Sequence, residues 1–283
     1  MTRPAQTVPY PLTWLYAPGD RPRVVAGALT SGADIVIVDL EDAVAPERKD
    51  YARSATADLL SEPDHPVPVH VRVNALDTPQ AAQDLAALAA LPGLSGLRLP
   101  KVTSAEQIIH LAETTPPVAP GSTPLHALIE SALGIEHAYA IAAAHSSLHG
   151  ISLGEADLRA DLGVRGDAGL DWSRSRVVVA ARAADLPPPS QSIHPDIRDL
   201  EGLIASCAHG RTLGFLGRAA IHPRQLPVIE RAYLPTEAEL EQAETIIKAA
   251  TTQQGAQALQ DGTFVDAAVV AAAQRTLSLA RRR

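Results

Sequence analysis

Hydrophobic positions along the chain form short β-branched runs that alternate with Ala- and Leu-rich stretches of helical period. The short runs predict eight strands, at Thr13–Ala17, Asp34–Leu40, Pro68–Val73, Gly96–Pro100, Leu125–Ile129, Gly150–Leu153, Ser190–Ile193 and Gly214–Leu216. The stretches between and after them predict helices over residues 21–31, 47–61, 79–90, 104–113, 134–144, 173–184, 198–209 and 224–232. Strands that alternate with helices in this way are typical of a parallel β/α architecture.

Eight strand–helix units predict an α/β protein built as a closed (β/α)8 barrel, the TIM barrel, whose active sites lie at the carboxyl ends of the strands. An open doubly wound sheet is the structural alternative, although no GxGxxG follows the first predicted strand. We predict that the barrel domain spans residues 1–234. Residues 235–283 predict a C-terminal helical extension, which opens on Thr236 and Glu239 at capping-box spacing. This extension either covers the barrel floor or reaches a neighbouring subunit.

Three carboxylates follow the apolar run of the second predicted strand, in the segment IVIVDLED. They are Asp39, Glu41 and Asp42. A buried carboxylate is costly unless it is paired, hydrogen-bonded or bound to a metal. These acids therefore either cap the next turn or face a site.

The third predicted strand, VHVRVN, alternates strictly between apolar and polar residues. In a barrel, one of these two faces is the interior. Arg72 on the polar face would need an anion there, and its planar guanidinium suits a carboxylate. Two interpretations stay open: Arg72 binds a substrate anion, or it forms an internal ion pair with an acid of the second strand.

Two further carboxylates, Glu130 and Asp157, follow the fifth and sixth predicted strands. Since neighbouring parallel strands end at the same edge, these acids would lie close together and repel unless a cation or a shared proton intervened. Oxygen ligands alone suit Mg²⁺ or Mn²⁺. The alternatives are an N-cap for Glu130 and a turn position for Asp157, and Glu155 and Asp161 are nearby competitors.

Composition narrows the class of protein. The 283 residues are 46% hydrophobic and 20% charged, and no apolar run is long enough to span a membrane or to form an export signal. A net charge of −8 without a basic tail makes nucleic acid an unfavourable partner. The single cysteine, Cys207, fits a reducing cytoplasm. GxSxG and P-loop sequences are absent, so hydrolase-triad and NTPase readings have no support.

Several segments resemble, in order, the citrate lyase β-subunit (CitE-like) proteins of the HpcH/HpaI aldolase superfamily of acyl-CoA lyases. The first is LYAPGDRPRVVAGALTSGADIVIVDLEDAVAPERKDYAR, and it is followed by VRVN, LRLPKVTSAEQI, LIESALGIEHAYAIA, SLGEADLRADLGV and GRAAIHPRQLPVI. The resemblance covers essentially residues 12–281. Its motifs are specific for the family and less specific for the substrate.

The resemblance implies a barrel that cleaves or forms carbon–carbon bonds next to an acyl thioester. It implies Mg²⁺, with Mn²⁺ as a second option, on Glu130 and Asp157, and a substrate carboxylate on Arg72. The acids after the second strand would then orient the metal's waters and Arg72; these are Asp39, Glu41 and Asp42.

Contacts to the thioester are implied at two further places. Tyr16 and Arg23, in YAPGDRPR, match a region that contacts the acyl carrier. From the residues alone, the same segment also reads as ordinary helix capping or as a phosphate site at a helix N-terminus. Ile221 and His222 match a segment on the CoA side of the pocket, although a lone histidine in a loop is more often structural.

The C-terminal segment DGTFVDAAV carries an aspartate, Asp266, that matches a residue entering the neighbouring subunit's site, where it would act as the base. Many relatives have a proline where this chain has Ala268. Head-to-tail exchange of this kind closes into symmetric rings. We therefore expect a homo-oligomer, most simply a trimer, with composite sites.

The implied activity is Mg²⁺-dependent cleavage of citryl-CoA, or of a citryl thioester on a carrier protein, to oxaloacetate and an acetyl thioester in the cytoplasm. Acyl-transferase and carrier-protein subunits are the implied partners. A stand-alone citramalyl-CoA or malyl-CoA lyase, synthase or thioesterase is the alternative. A non-catalytic acyl-CoA-binding subunit is the alternative of another class, and the presence of Arg72, Glu130 and Asp157 argues against it.

Overall fold

The structure, a computed structural model, describes residues 10–114, 123–252, 257–258 and 264–280. The chain divides into two compact units, one spanning Pro11–Ala232 and the other containing the C-terminal segment from Tyr233 onward. The domain boundary predicted after residue 234 stays a prediction, since contacts alone do not show that either unit folds by itself. Among the described residues, no helix combines the length and the apolar character needed to cross a bilayer.

In the described part of the larger unit, seven parallel strands form one curled sheet. They are β1 (Thr13–Pro18), β2 (Ile35–Asp39), β3 (Val69–Arg72), β4 (Leu94–Leu99), β5 (Leu125–Ile129), β6 (Leu148–Leu153) and β7 (Arg218–Ala220). Their order across the sheet is β6–β5–β4–β3–β2–β1–β7, so the last strand returns to pair with the first. This TIM-barrel-like arrangement confirms the predicted fold class and excludes the doubly wound alternative.

The predicted seventh strand, Ser190–Ile193, is reduced to a single parallel bridge between Gln191 and Arg218. The Gln191 amide donates to the Gly217 carbonyl, and its carbonyl accepts from Ala219, both at 3.0 Å. On the other side, the hydroxyl oxygens of Ser152 and Ser190 lie 3.3 Å apart, which links β6 to this segment through side chains.

The predicted eighth strand was placed four residues too early, at Gly214–Leu216, whereas the strand is Arg218–Ala220. Two glycines explain the error. Gly214 has a φ of 97° and ends the preceding helix, and Gly217 has a φ of 75° in the turn before the strand. Left-handed backbone does not fit a regular strand, so the strand begins only after Gly217.

Twelve α-helices lie in the described part of the chain. They are α1 (Pro22–Leu29), α2 (Lys49–Leu60), α3 (Pro79–Leu88), α4 (Ala105–Thr114), α5 (Ala132–Glu136), α6 (Ala138–Ala142), α7 (Glu155–Leu162), α8 (Asp171–Ala183), α9 (Leu200–Leu213), α10 (Leu226–Tyr233), α11 (Glu237–Thr252) and α12 (Ala267–Ala280). Every predicted helix overlaps an observed one, although the helix predicted over residues 134–144 is split into α5 and α6. Helix α7 was missed because Leu158 is its one buried residue, so its sequence lacks an apolar stripe.

The barrel interior is polar on one side. The alternation of VHVRVN places Val69 and Val71 under the surrounding helices, fully buried, and His70 and Arg72 inside the barrel. Trp14 and Ile37 contribute an apolar patch to the same interior. The interior is open at the carboxyl ends of the strands, as expected of this fold.

The C-terminal unit is built on α11 and α12, with a two-stranded antiparallel sheet of β8 (Gln257–Ala258) and β9 (Phe264–Val265). The predicted capping box is confirmed: the Thr236 amide donates to Glu239 Oε2 at 2.8 Å, and the Glu239 amide donates to Thr236 Oγ1 at 3.2 Å. The unit has its own small core, formed by Ala243, Ile246, Val265 and Ala273.

Candidate functional site

A cavity of about 440 Å³ opens at the carboxyl ends of the strands, which is an ordinary size for a small-molecule site. Most of the residues singled out in the sequence line it: Tyr16, Asp39, Asp42, Arg72, Glu130, Asp157 and Ile221. Because parallel strands end at one edge of the sheet, side chains from six separate segments of the chain meet at this cavity.

Arg72 lies at the end of β3 with its guanidinium held by acids of β2 and the loop after it. Nε and Nη2 donate to the two carboxylate oxygens of Asp39 at 2.8 and 2.6 Å. Nη1 lies 2.9 Å from Glu41 and 3.8 Å from Asp42, and the guanidinium carbon is 5.2 Å from the centre of the Tyr16 ring. Burial lowers the pKa of Arg72, but the bond to Asp39 outweighs it and holds that pKa above its usual value.

Of the two interpretations of Arg72, the structure shows the internal ion pair. It does not exhaust the side chain, because a guanidinium carries five N–H donors and Asp39 takes two of them. Donors remain for a substrate carboxylate at the cavity. Asp39 therefore orients Arg72, and both functions proposed for this arginine are compatible.

The loop after β2 is held by a lysine that the sequence did not single out. Lys49 Nζ donates to the carbonyls of Leu40 and Glu41 and to Asn74 Oδ1, each at 2.7 Å. Asp39 accepts the amide hydrogens of Glu41 and Ala43 at 3.0 and 3.2 Å. The acids of this loop thus answer both expectations: Asp39 caps the turn, and it also holds Arg72 at the cavity.

Lys101 was also missed, and it connects the two groups of carboxylates. Its ammonium group lies 2.6 Å from Glu41 Oε1 and 3.5 Å from Asp42. Its amide donates to Glu130 Oε2 at 3.0 Å, from a residue with a φ of 55°. Left-handed backbone is rare outside glycine and marks a locally constrained turn. Lys101 was one of three lysines in the chain, at the end of a predicted strand, which was the available signal.

Glu130 is a buried acid of the cavity, with 4% of its surface exposed. Gly154, its neighbour at the end of β6, has no room for a side chain, because a Cβ there would collide with Glu130 Oε1. Burial, followed by the charge of Glu41, raises the pKa of Glu130 to about 8. No cation of the described residues lies at ion-pairing distance from Glu130, and a metal ion in the cavity would supply that positive charge.

Asp157 lies in the first turn of α7 and is exposed to the cavity, near enough to Glu130 to raise the pKa of that carboxyl. The two competitors are engaged elsewhere. Glu155 is bonded to Arg174 at 2.6 and 3.0 Å, and Asp161 accepts the Ala132 amide at 2.7 Å. These bonds favour Glu130 and Asp157 as the pair that can offer oxygens to a ligand in the cavity, since among the described residues Glu130 Oε2 accepts only the Lys101 amide.

The donor set therefore fits a hard divalent cation. It consists of carboxylate oxygens, with room in the cavity for waters, which suits Mg²⁺ or Mn²⁺. Glu41 Oε2 adds a further clue, because it is buried without an aligned hydrogen-bond donor in the described structure, although Arg72 Nη1 is 2.9 Å away. An ordered water beside the ion would satisfy that oxygen.

The raised pKa of Glu130 predicts a pH dependence of metal binding. In the metal-free protein the carboxyl is mainly protonated at neutral pH, so a cation must displace that proton. We expect Mg²⁺ affinity to rise about tenfold per pH unit until pH reaches the Glu130 pKa, and to level off above it. Because the pKa of Glu130 is higher in the folded protein than the ordinary value of 4.5, protonation of this carboxyl stabilises the metal-free fold. The contribution is complete below pH 4.5 and is lost as the pH rises to about 8.

Calorimetry across roughly pH 6 to 9, in two buffers with different ionisation enthalpies, measures both the affinity and the proton released on binding. An affinity that is constant over this range, with no proton released, would contradict the raised Glu130 pKa.

The remaining candidate residues have other surroundings. Arg23 lies on the exposed side of α1, outside the lining of the cavity. His222 Nδ1 accepts the Arg224 amide at 3.1 Å and so caps a short 3-10 turn. Asp266 lies in the C-terminal unit, where its Oδ1 accepts the amides of Ala268 and Val269 at 2.9 Å and caps α12. The thioester contacts of Arg23 and His222, and the catalytic role of Asp266, stay predictions.

Comparison with known proteins gives the family. Residues 12–223 match the model of the HpcH/HpaI aldolase/citrate lyase family, and residues 177–281 match that of a C–C bond lyase of the TIM-barrel fold. The chain is 34% identical over 281 residues to citrate lyase subunit beta of Leuconostoc mesenteroides subsp. cremoris, covering 95% of this chain and 92% of that protein. It is 35% identical over 273 residues to the (3S)-malyl-CoA thioesterase of Cereibacter sphaeroides, covering 94% and 93%.

Solved structures of a Mycobacterium tuberculosis relative agree. Protein CitE in complex with magnesium, acetoacetate and coenzyme A has a TM-score of 0.80 and 35% identity, covering 96% of this chain and 98% of that one. The citrate lyase beta subunit with oxaloacetate and magnesium has a TM-score of 0.68 and 36% identity, covering 80% and 97%. The chain therefore belongs to the HpcH/HpaI aldolase/citrate lyase family of carbon–carbon bond lyases.

Proposed function

We propose that this chain is a Mg²⁺-dependent lyase that cleaves citryl-CoA, or a citryl thioester on a carrier protein, to oxaloacetate and an acetyl thioester. The observation that carries the proposal is a single cavity in which the Arg72 guanidinium lies with the carboxyl groups of Glu130 and Asp157. The Arg72 guanidinium suits a substrate carboxylate, and a metal ion on the oxygens of Glu130 and Asp157 suits a substrate hydroxyl or carboxylate group. The M. tuberculosis complexes with magnesium, coenzyme A and oxaloacetate support this substrate class.

The residues divide the work of holding the substrate. Arg72 binds a carboxylate of the oxaloacetate half through the donors that Asp39 leaves free. Asp39 and Lys49 keep Arg72 and its loop in one position, so little ordering is needed when substrate binds. Glu130 and Asp157 would hold the metal ion, which, when bound, polarises the substrate oxygens and stabilises developing negative charge.

Bond cleavage then follows from proton movement. When the substrate's hydroxyl proton passes to solvent, the oxygen's electron pair forms the keto group of oxaloacetate. The adjacent carbon–carbon bond then breaks, and its electron pair becomes the enolate of the acetyl thioester. The enolate takes up a proton to give the acetyl thioester. In the reverse direction a base must remove a proton from the acetyl methyl group, and we assign this proton exchange to Asp266 of a neighbouring subunit.

An assay with a panel of thioesters tests the activity. The purified chain should release oxaloacetate from citryl-CoA when Mg²⁺ is present and lose this activity when EDTA removes the metal. Citramalyl-CoA and malyl-CoA serve as competing substrates. If none of the three is cleaved at a carbon–carbon bond with Mg²⁺ present, the lyase proposal is wrong.

A second candidate is hydrolysis of (3S)-malyl-CoA, favoured by the relative from C. sphaeroides that bears this name. The products distinguish the two reactions. A thioesterase releases malate and free CoA from malyl-CoA, whereas a lyase releases an oxo acid and acetyl-CoA.

The tail motif supports a composite site in a homo-oligomer, and we propose a trimer. The test mixes two inactive variants, Asp266→Ala and Glu130→Gln, after dissociation and reassembly. If one chain supplies Asp266 and its neighbour supplies Glu130, mixed oligomers contain some sites with both residues intact and regain part of the activity. Failure to regain activity, with subunit exchange confirmed by differently tagged chains, would place Asp266 in its own chain's site or outside catalysis.

We further propose a cytoplasmic location, supported by a single, free and buried cysteine, Cys207. The name of the Leuconostoc relative, a subunit of citrate lyase, supports acyl-transferase and carrier-protein subunits as partners. Co-purification of the tagged chain with such subunits from its own source would test this assignment.

A further inference from the structure

A second arginine faces the cavity beside Arg72 without an acid to balance it. Arg98 on β4 pairs in register with Arg72 on β3, so both side chains point to the barrel interior, and both line the cavity. Only 4% of Arg98 is exposed. Within the described residues, no carboxylate lies at ion-pairing distance from Arg98, whereas Arg72 contacts Asp39 and Glu41.

Two histidines below Arg98 hold it without neutralising its charge. Arg98 Nε donates to His70 Nδ1 at 3.3 Å, which requires that this nitrogen be unprotonated. The His70 ring packs on His126, with 4.9 Å between ring centroids. Burial, and then the charge of Arg98, lowers the pKa of both histidines, so both rings are neutral at physiological pH.

Space for this arrangement comes from two glycines on neighbouring strands. A Cβ at Gly96 would lie 2.9 Å from the His70 ring, and a Cβ at Gly150 would lie 3.0 Å from His126 Nδ1. Larger residues at either position would push the rings into the barrel. The local packing therefore presents the guanidinium at the cavity in a supported position.

A buried cation without a counter-ion is costly for the fold. Burial accordingly lowers the pKa of Arg98, opposite to the net effect on Arg72. Among the described residues the guanidinium has one hydrogen-bond partner, His70, and its remaining donors are accessible from the cavity. The missing partner is an anion that enters with the substrate.

We propose that Arg98 binds a second carboxylate of the substrate, so that the site selects thioesters whose oxo-acid half is a dicarboxylate. The inference rests on the proposed lyase function, in which Arg72 binds one carboxylate of that half. Oxaloacetate has a second carboxylate that Arg98 can pair with, whereas pyruvate and glyoxylate leave Arg98 buried and unpaired. A site built to hydrogen-bond a group discriminates strongly against substrates that lack it.

The decisive measurement compares citryl-CoA with citramalyl-CoA, which has a methyl group in place of one carboxymethyl group. Wild type should prefer citryl-CoA in kcat/KM. Arg98→Met should reduce kcat/KM for citryl-CoA roughly 10- to 150-fold, the range of a charge-assisted hydrogen bond, and leave citramalyl-CoA little changed. Both substrates are measured on one preparation, so a smaller amount of folded protein lowers both kcat/KM values equally and does not change their ratio.

A binding measurement gives a readout that does not depend on turnover. Calorimetry in the presence of Mg²⁺ measures the affinity for freshly prepared oxaloacetate and for pyruvate. Arg98→Met should weaken the binding of oxaloacetate and leave the binding of pyruvate unchanged. Metal-free Arg98→Met should also melt at a higher temperature than wild type, since it removes an unpaired buried charge. If this variant melts lower and keeps the oxaloacetate preference, Arg98 is structural and the proposal is wrong.

Arg218→Met is the matched control. Arg218 is as buried as Arg98 and bonds to Gln191 and Ser206, but it lies outside the cavity lining. Arg218→Met should leave the ratio of kcat/KM for citryl-CoA to kcat/KM for citramalyl-CoA unchanged. If Arg218→Met changes this ratio as much as Arg98→Met does, the assignment to Arg98 is wrong. A wild type that cleaves both thioesters equally well would overturn the role of Arg98 alone, and one that cleaves neither would overturn the lyase function with it.

Discussion

Replacing Glu130 with glutamine is expected to abolish divalent-metal binding and lyase activity while leaving the fold intact. Glutamine has the same shape, so it keeps the place that Gly154 leaves open and can still accept the Lys101 amide. What it loses is the negative charge that a hard cation needs. Residues that merely support metal ligands cost 10- to 100-fold in affinity when they are changed, so loss of a ligand should cost at least about 100-fold.

Calorimetry with Mg²⁺ and Mn²⁺ measures this effect, and circular dichroism and thermal melting check the fold. Asp157→Asn should likewise weaken metal binding and leave the fold intact. Asp161→Asn is the matched control, because Asp161 lies on the same helix as Asp157 but is bonded to the Ala132 amide and does not line the cavity. Unchanged metal affinity in both Glu130→Gln and Asp157→Asn would remove these residues from the metal site.

Changes at Arg72 are expected to affect catalysis and stability separately. Arg72→Lys keeps a positive charge but loses the planar guanidinium that binds Asp39 and that, in the proposed function, also binds a substrate carboxylate. We expect kcat/KM to fall by about 1.5–3 kcal/mol, the value of a charge-assisted hydrogen bond. Arg72→Met leaves Asp39, of which 1% is exposed, without its cation, and should lower the free energy of unfolding by about 3–5 kcal/mol.

Steady-state kinetics and denaturant unfolding of the same preparations distinguish the two effects. Arg53→Lys is a suitable control, since Arg53 also pairs with a buried acid, Asp84, at 2.8 Å but does not line the cavity. It should lower stability and leave KM unchanged. Kinetics of Arg72→Lys that match those of wild type would show that Arg72 is only structural.

The sequence predicted the architecture well because the relevant pattern is local. Alternation with a period of two, as in VHVRVN, and continuous β-branched runs identify strands from a few neighbouring residues. Errors arose where local conformation departs from this pattern. The strand near the end of the barrel was misplaced because Gly214 and Gly217 adopt left-handed backbone, and α7 was missed because it buries only Leu158.

The sequence correctly predicted that residues directly after strands would lie together, because topology alone carries those residues to one edge of the sheet. Arg72, Glu130 and Asp157 line one cavity for this reason, and their roles stay predictions. Lys49, Lys101 and Arg98 were not found, since their roles depend on partners distant in the chain. Lys101 contacts Glu41 from 60 residues away, and Arg98 bonds to His70 from 28 residues away.

By itself, the sequence determined the succession of strands and helices, the edge of the sheet at which the candidate residues lie and the family to which the motifs belong. Which acids are neutralised was decided by the tertiary structure alone. Asp39 is bound to Arg72 and Glu155 to Arg174, whereas Glu130 remains buried with a raised pKa. The physical reason is that charge compensation depends on separations of a few ångströms, which periodicity and composition do not encode.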